Sequence, residues 1–208
     1  MRVLNRRSAL LSACLGAAAL ALAACSGGGG DGAAEGDMAM GAAEGAPVTV
    51  VEYASVTCSH CALWNETVMP EFKAKYVDTN QVRFVFRELP TPPVDVATAG
   101  FLLDLCAVED RYFEVVDAIM RAQTEIFAGQ GRAVLLRVAQ SAGLNEEQFT
   151  QCVTDEDAIR AMEGRVRQAQ DMGVTGTPAF FVNGERVADS SLEGLSAAID
   201  PLLTDGEG

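Results

Sequence analysis

Apolar residues along the chain follow a strand pattern in three short runs. Residues 48–53 and 82–86 are rich in β-branched and aromatic side chains, and the second run alternates as a central strand does. Residues 179–182 form a third run. Asn183-Gly184 follows it and is a strong hairpin signal, with 186–188 as the returning strand. The pattern therefore predicts two strand-containing segments that are far apart in the chain.

Between these segments the apolar positions recur with helical spacing. The residues on one face of the last candidate, Ile159, Met162, Val166 and Ala169, show the period clearly. Asn145 and Gln148 fit a capping box at the start of another helix. The successive helix candidates are 94–108, 112–122, 132–142, 146–153 and 155–172. This pattern predicts a block of helices inserted between the strand segments.

Helices are also predicted beside the strands. One runs from about residue 61 to 76, with a kink at Met69-Pro70 because proline lacks the backbone N–H that a helix interior needs. Another runs from Ser191, a preferred N-cap residue, to about residue 203. The order of elements thus indicates an α/β domain.

The first 24 residues are typical of an export signal and are excluded from the fold. Their apolar run, 9–23, is too short for a comfortable membrane span. It ends in Leu-Ala-Ala-Cys at 22–25, which resembles a bacterial lipobox and implies a lipid on Cys25. An ordinary signal peptide with an incidental cysteine is the alternative. Residues 5–10 also resemble a loose twin-arginine signal.

Residues 25–46 are dominated by glycine, alanine and acidic side chains, without apolar periodicity. Such composition predicts a flexible tether that would let a domain reach away from a membrane surface. The folded domain is then expected over 47–203 and a frayed tail over 204–208. Met38 and Met40 in the tether are either soft metal ligands or incidental.

The net charge of the chain is −14 at pH 7. Such an acidic balance argues against nucleic acids and against anionic membrane surfaces as partners, because both repel a negatively charged protein. The charge indicates little else, since acidity of this size is common in exported proteins.

The candidate chemistry lies in Cys58-Ser59-His60-Cys61, which follows the first strand and opens a helix. Two cysteines at this spacing and position are typical of a redox motif. Backbone N–H groups and the helix dipole favour a thiolate on Cys58, and His60 could add a positive charge or a donor beside it. Half of a zinc site is the alternative. It would need further ligands, and the chain has one histidine and no second Cys-x-x-Cys.

Glu52 is an acid in an otherwise apolar strand, six residues before Cys58. A carboxyl group buried beneath the cysteines would have a raised pKa and could exchange protons with Cys61. A solvated glutamate at the edge of the sheet fits the pattern equally well.

Cys106 and Cys152 lie in the helical block, and each shares a helix face with apolar residues, so both are expected to face the interior. In an exported protein such a pair favours a disulfide. Removal of Cys14 with the export signal, and assignment of Cys25 to lipid and of Cys58 and Cys61 to the redox pair, leaves these two for each other.

Together these features resemble the DsbA family of thiol-disulfide oxidoreductases. The resemblance rests on the Cys-Ser-His-Cys motif, the long helical segment and the later stretch 173–184, Gly-Val-Thr-Gly-Thr-Pro-Ala-Phe-Phe-Val-Asn-Gly. It covers about 47–203. It implies a thioredoxin fold with a helical insertion over about 94–165, and it needs neither a cofactor nor a metal.

The resemblance also implies roles for single residues. Cys58 would be the attacking cysteine and Cys61 the resolving one, with Ser59-His60 as the dipeptide that tunes the reduction potential. Pro178 would be a cis-proline that presents Thr177 to an extended substrate. Glu52 would be the family's buried acid. Cys106 and Cys152 would form the structural disulfide of some members, whereas the serine of the dipeptide departs from the proline of the best-known ones.

The function that follows is an exported, lipid-anchored dithiol oxidase acting on reduced substrate proteins. The resemblance further implies re-oxidation by a membrane quinone reductase of the DsbB type. Two alternatives stay open. One is a reductase or isomerase of the same fold. The other is a copper-handling protein that uses Cys58 and Cys61 together with His60, Met38 or Met40, since thiolates and thioethers suit Cu(I).

Overall fold

A computed structural model describes residues 36–107 and 111–204. The predicted signal segment 1–24, the proposed lipid site Cys25 and most of the tail lie outside the described residues. Within them the chain forms a sheet with helices on both faces. The strands are β1 (Met38–Gly41), β2 (Thr49–Ala54), β3 (Arg83–Glu88), β4 (Ala179–Val182) and β5 (Glu185–Val187). The described part of the chain contains no helix long and apolar enough to cross a bilayer.

The sheet is mixed, with strand order β1-β3-β2-β4-β5. β2 and β3 are parallel at its centre, and their pairing begins at Thr49 opposite Arg83. β4 is antiparallel to β2, and β5 returns antiparallel to β4 after the turn at Asn183-Gly184. Asn183 adopts a positive φ of 46° and Gly184 one of 83°, as the favoured two-residue hairpin turn requires. The strands predicted from both ends of the domain therefore meet in one sheet.

Strand β1 corrects the expectation that residues 25–46 form a flexible tether with the fold starting at residue 47. Met38–Gly41 pairs antiparallel with the outer edge of β3. The guanidinium of Arg87 donates to both carboxylate oxygens of Asp37, at 2.8 and 2.7 Å. Met38 and Met40 are half-buried against the main core. The composition gave no sign of this strand because its hydrogen bonds depend on an edge of β3 that lies far along the chain.

The helix after β2 is divided as the position of Pro70 predicts. Helix α1 (Ser59–Thr67) ends before Val68, and α2 (Met69–Phe72) carries Pro70 in its first turn, where a missing N–H has no cost. A turn of π-helix, Lys73–Val77, completes the segment. Trp64 and Phe72 from these helices pack over β3, so α1 is held firmly on the sheet.

The helical block lies between β3 and β4 and consists of short helices packed on one another. They are α3 (Val94–Cys106), α4 (Tyr112–Arg121), α5 (Gln123–Glu125), α6 (Gly131–Ser141), α7 (Glu146–Val153) and α8 (Glu156–Asp171). A turn of π-helix, Ile126–Gln130, joins α5 to α6. The predicted capping box is confirmed, since the Asn145 side chain accepts from the backbone N–H of Gln148 and the Gln148 side chain accepts from that of Asn145. Helix α9 (Leu192–Thr204) follows β5.

A disulfide joins Cys106 at the end of α3 to Cys152 in α7, with the two Cα atoms 6.2 Å apart. Cys152 is buried, as its helix face predicts. Cys106 is exposed, and the expectation that it faces the interior is wrong. It is the last residue of α3, and its neighbours Leu103 and Ala107 enter the core instead.

The two faces of the sheet carry cores of different size. Side chains alternate between the faces of a strand, so Val50 and Ala54 enter the larger core with α1, α9 and much of the helical block. Val51 and Tyr53 enter a smaller core together with Ala169 of α8. Glu52 shares the face of Val50 and Ala54. This register places its carboxyl group in the larger core beneath α1.

Candidate active site

Cys58 is the N-cap residue of α1, with extended backbone angles of φ −86° and ψ 118°. Its half-buried Sγ accepts a hydrogen bond from the backbone N–H of Cys61 at 3.4 Å. The first N–H groups of a helix have no partner inside the helix. The sequence places a thiol at the point where these donors converge, and both Cys58 and Cys61 are free thiols.

These donors lower the pKa of the Cys58 thiol to about 5. The largest contribution is a hydrogen bond from the Cys61 thiol to the Cys58 thiolate. The Thr177 side chain and the backbone N–H groups of Cys61 and His60 act in the same direction, whereas burial opposes them. A long contact of 3.5 Å from the Cys58 thiol to the Thr177 carbonyl favours the protonated form, but the donors outweigh it. Cys58 is therefore a thiolate at neutral pH.

Cys61 lies one turn further along α1 and is fully buried. Burial raises the pKa of its thiol far above the usual value, and the hydrogen bond to Cys58 and the charge of Glu52 add to the effect. The two thiols of the motif thus have opposite properties. Cys58 is stable as an anion, and Cys61 holds its proton.

Glu52 is 3% exposed. Its carboxyl group is therefore buried beneath the cysteines and is not a solvated group at the edge of the sheet. Burial raises the pKa of its carboxyl group to about 8, and the nearby charge of Cys58 adds to the rise. Among the described residues no group donates a hydrogen bond to this carboxyl. Glu52 is therefore largely protonated at neutral pH in the form with both cysteines reduced.

Glu52 also borders a cavity of about 390 Å³ between the sheet, α1, α2 and α4. A cavity of this size has room for several water molecules. Phe84, Phe86 and Phe113 contribute to its apolar walls, and Asp117 contributes a polar group. This cavity gives the buried carboxyl group a route to solvent beside α1.

Thr177 and Pro178 come from the loop before β4 and lie beside Cys58. The Thr177–Pro178 peptide bond is cis, as the family resemblance implies. The same resemblance did not identify a second cis bond, Pro92–Pro93. The Thr177 carbonyl is 3.5 Å from the Cys58 sulfur, so any chain that pairs with Thr177 is brought to the reactive thiol.

Ser59 and His60 are exposed on the first turn of α1. The group of His60 that lowers the pKa of Cys58 is its backbone N–H, whereas the sequence interpretation emphasised its ring. The Cys106–Cys152 disulfide closes the helical block and contributes no group to this site. Met38 and Met40 belong to β1.

Sequence reasoning missed the residues that hold the loop before Cys58. The Thr57 hydroxyl donates to the Thr91 carbonyl at 2.7 Å, and the Thr91 N–H donates to the Ser55 hydroxyl at 3.1 Å. The Gln123 amide donates to the carbonyls of Val56 and Cys58. Gln123 lies in a stretch that the helix candidates left unassigned, and no local pattern marked it.

Comparison with known proteins identifies relatives of this chain. Residues 33–201 match a family model described as thioredoxin. A candidate protein-disulfide oxidoreductase of Rickettsia conorii is 32% identical over 159 residues, which cover 75% of this chain and 57% of the relative. The chain thus spans less than two thirds of that relative's length.

Solved structures show the same fold. Wolbachia pipientis α-DsbA1 has a TM-score of 0.77 at 25% identity, with 85% of this chain and 95% of that chain covered. Oxidised BdbD from Bacillus subtilis has a TM-score of 0.65 at 20% identity, with coverages of 85% and 97%. The predicted fold, a thioredoxin fold with a helical insertion, is confirmed.

Proposed function

Because this chain belongs to the DsbA family of thioredoxin-fold thiol-disulfide oxidoreductases, we propose that it is a dithiol oxidase. It would donate a Cys58–Cys61 disulfide to reduced proteins in the cell envelope. The observation that carries the direction is the position of the Cys58 sulfur at the start of α1, where it accepts the Cys61 N–H at 3.4 Å and where the surrounding donors lower the pKa of the thiol to about 5. A stabilised thiolate stabilises the reduced form of the protein, and a protein with a stable reduced form is a strong oxidant.

The reaction starts from the disulfide form. A substrate thiolate attacks the Cys58 sulfur, a substrate–Cys58 disulfide forms, and the Cys58–Cys61 bond breaks with its electron pair on Cys61. A second substrate thiolate then attacks the substrate sulfur of the mixed disulfide, and Cys58 leaves as the thiolate. Two electrons have passed from two substrate thiols to the two cysteines, so the substrate is oxidised and this protein is reduced.

Glu52 would serve the leaving sulfur of Cys61. That sulfur has a strongly raised pKa because it is buried, so it needs a proton as the disulfide opens. The Glu52 carboxyl group is buried nearby, has a pKa of about 8 and borders the cavity that reaches solvent. It can give its proton to Cys61 and regain one through the cavity.

Substrate would bind as an extended segment beside Thr177. The loop before β4 presents this residue next to Cys58, and an extended peptide that pairs with backbone groups there adds to the protein as a strand does. Backbone pairing accepts many sequences, which suits an oxidase of diverse substrate proteins.

The proposal also includes the location of the protein in the cell and the re-oxidation of its two cysteines. The lipobox-like 22–25 supports cleavage before Cys25, a lipid on Cys25 and exposure of the domain on the periplasmic side of a bacterial membrane. A DsbB-type quinone reductase in that membrane would re-oxidise the cysteines. Incorporation of labelled fatty acid in cells, with Cys25→Ser as the control, tests the anchor.

The reduction potential of the Cys58–Cys61 pair tests the direction. The full chain is equilibrated in glutathione buffers, and alkylated Cys58 and Cys61 are quantified by mass spectrometry. We expect a potential between about −120 and −180 mV, above that of thioredoxin at about −270 mV. A thioredoxin-like value would overturn the oxidase and favour a reductase.

Three substitutions test the chemistry. Cys58→Ala should abolish disulfide transfer to a reduced protein. Cys61→Ala cannot form the Cys58–Cys61 disulfide, but when it is mixed with a disulfide-bonded protein its Cys58 thiolate should attack that disulfide and form a mixed disulfide that Cys61 can no longer resolve. Glu52→Gln should slow the release of Cys61 at pH 7 by at least about tenfold. Transfer by Cys58→Ala at the wild-type rate would show that the attack occurs elsewhere.

A further inference from the structure

We propose that Gln123 is a positioning residue for thiol-disulfide exchange: its side-chain amide fixes the backbone on both sides of Thr57 so that the start of α1 points at the Cys58 sulfur. The inference extends the proposed function to a residue of the helical block. Gln123 touches neither cysteine sulfur and acts through the backbone.

Both N–H groups of the Gln123 side chain have defined partners. The amide nitrogen lies 2.8 Å from the Val56 carbonyl oxygen and 3.0 Å from the Cys58 carbonyl oxygen. Gln123 is 7% exposed and Val56 is fully buried. An unpaired buried carbonyl costs free energy, so the first bond satisfies the Val56 carbonyl, and the second adds a donor to the Cys58 carbonyl at the start of α1.

The Cys58 carbonyl belongs to the peptide group that starts α1. It also accepts the N–H of Ala62 at 3.0 Å, the first hydrogen bond of the helix. The orientation of this peptide group sets the direction of the next N–H groups, including that of Cys61, which donates to the Cys58 sulfur at 3.4 Å. A donor that fixes the carbonyl therefore also fixes the hydrogen bonds that stabilise the thiolate.

The other hydrogen bonds that hold this loop come from a different segment of the chain. Ser55 and Thr57 form hydrogen bonds with Thr91 in the segment between β3 and α3. Neither of these hydrogen bonds involves the carbonyl of Val56 or that of Cys58, to which Gln123 donates. Gln123 thus supplies the hydrogen bonds from α5 to the backbone at the nucleophile. Its removal should loosen the N–H groups around Cys58 without removing a group that reacts.

Gln123→Met tests the proposal, because methionine keeps the length and burial of the side chain and removes its donors. In the full chain, the equilibrium constant for oxidation of glutathione should fall by about threefold to tenfold, the effect of one hydrogen bond. That fold-change corresponds to a potential lower by roughly 15–30 mV. The pH midpoint of Cys58 alkylation should rise by about 0.5–1 unit, the same fold-change in the ionisation constant.

Two controls separate positioning from general destabilisation. Gln140→Met changes an exposed glutamine on α6 and should alter neither quantity. Val134→Ala truncates a fully buried side chain of the same helical block. It should lower the stability of the oxidised and reduced forms equally and leave the potential unchanged.

A second variant, Gln123→Ala, tests the proposal if Gln123→Met does not fold. Gln123 borders a surface cleft of about 300 Å³ beside Ser59, so Gln123→Ala admits water that can donate to both carbonyls but does not fix them. Its potential and alkylation midpoint should shift in the same directions. If either folded variant keeps both wild-type values, Gln123 has no positioning role. The absolute reduction potential of the wild-type protein tests the proposed oxidase function. The difference in potential between the Gln123 variants and wild type tests the positioning role of Gln123.

Discussion

Glu52 and Cys58 are coupled across the start of α1, where a thiolate on Cys58 makes it harder for Glu52 to ionise. The pKa values of the two groups lie on opposite sides of neutrality, at about 5 for Cys58 and about 8 for Glu52. At pH 7 the reduced site therefore carries its negative charge on the half-exposed sulfur and its proton on the buried carboxyl group. This distribution suits a protein that must release one sulfur as an anion and protonate the other.

The first prediction concerns the ionisation of Cys58. Its rate of alkylation by iodoacetamide should be half-maximal near pH 5 and constant above about pH 6, because the thiolate is the reactive form. Thiolate absorbance of the reduced protein should show the same midpoint, and Cys58→Ala should remove the transition. A midpoint between 8 and 9, about that of a free thiol, would contradict the geometry described for α1.

The second prediction concerns the stability contributed by Glu52. Its pKa rises from 4.5 to about 8 on folding, so between these values the folded protein holds a proton that the unfolded chain has lost. The contribution of Glu52 to stability should therefore be greatest below about pH 4.5 and should fall as the pH rises towards 8. Glu52→Gln removes this dependence and should be more stable than wild type by on the order of 3 kcal/mol at pH 7.

Urea denaturation of the reduced protein from pH 4 to pH 8 measures this difference. The two proteins should converge near pH 4, where Glu52 is protonated in both states. Parallel curves across the whole range would show that the Glu52 carboxyl group is solvated in the folded protein.

The third prediction concerns the disulfide between Cys106 and Cys152, which closes a segment with a sequence separation of 46. Replacement of both cysteines by alanine should lower the free energy of unfolding by about 4 kcal/mol, chiefly because the unfolded chain gains freedom. Denaturation of the double variant beside wild type measures the loss. The alkylation midpoint of Cys58 should stay the same, and a shift would show that the bridge also shapes the active site.

The fourth prediction concerns strand β1. The ion pair of Asp37 and Arg87 has side chains that are 4% and 11% exposed, and loss of one partner of a buried pair is costly. Asp37→Asn should lower the free energy of unfolding by about 3 kcal/mol. Asp78→Asn is the matched control, because Asp78 pairs with Lys73 at the surface, and its loss should be below about 1 kcal/mol.

Chains that begin at residue 26 and at residue 47 extend this test to the whole strand. The shorter chain lacks both β1 and Asp37, so it should be less stable than the longer one by more than Asp37→Asn alone. Equal stability of the two chains would mean that β1 does not belong to the folded domain.

Features that depend on neighbouring residues could be predicted from the sequence. The capping box of Asn145 and Gln148, the strand Ala179–Val182 and the turn at Asn183-Gly184 all rest on hydrogen bonds or backbone angles within a few residues. The position of Cys58 at a helix start is equally local. Such features can be predicted because the groups that interact are also close in the chain.

The tertiary structure decided what depends on distant partners. Strand β1 exists because β3 offers an edge to Met38–Gly41, and Glu52 is buried because α1 and α4 cover its face of the sheet. Gln123 reaches carbonyls 67 and 65 positions away in the chain. The sequence by itself determined the redox motif and the order of the main elements from β2 onward, since these follow from local chemistry. The surroundings that set the pKa values of the motif required the fold, because desolvation and hydrogen bonding depend on which distant residues arrive beside a group.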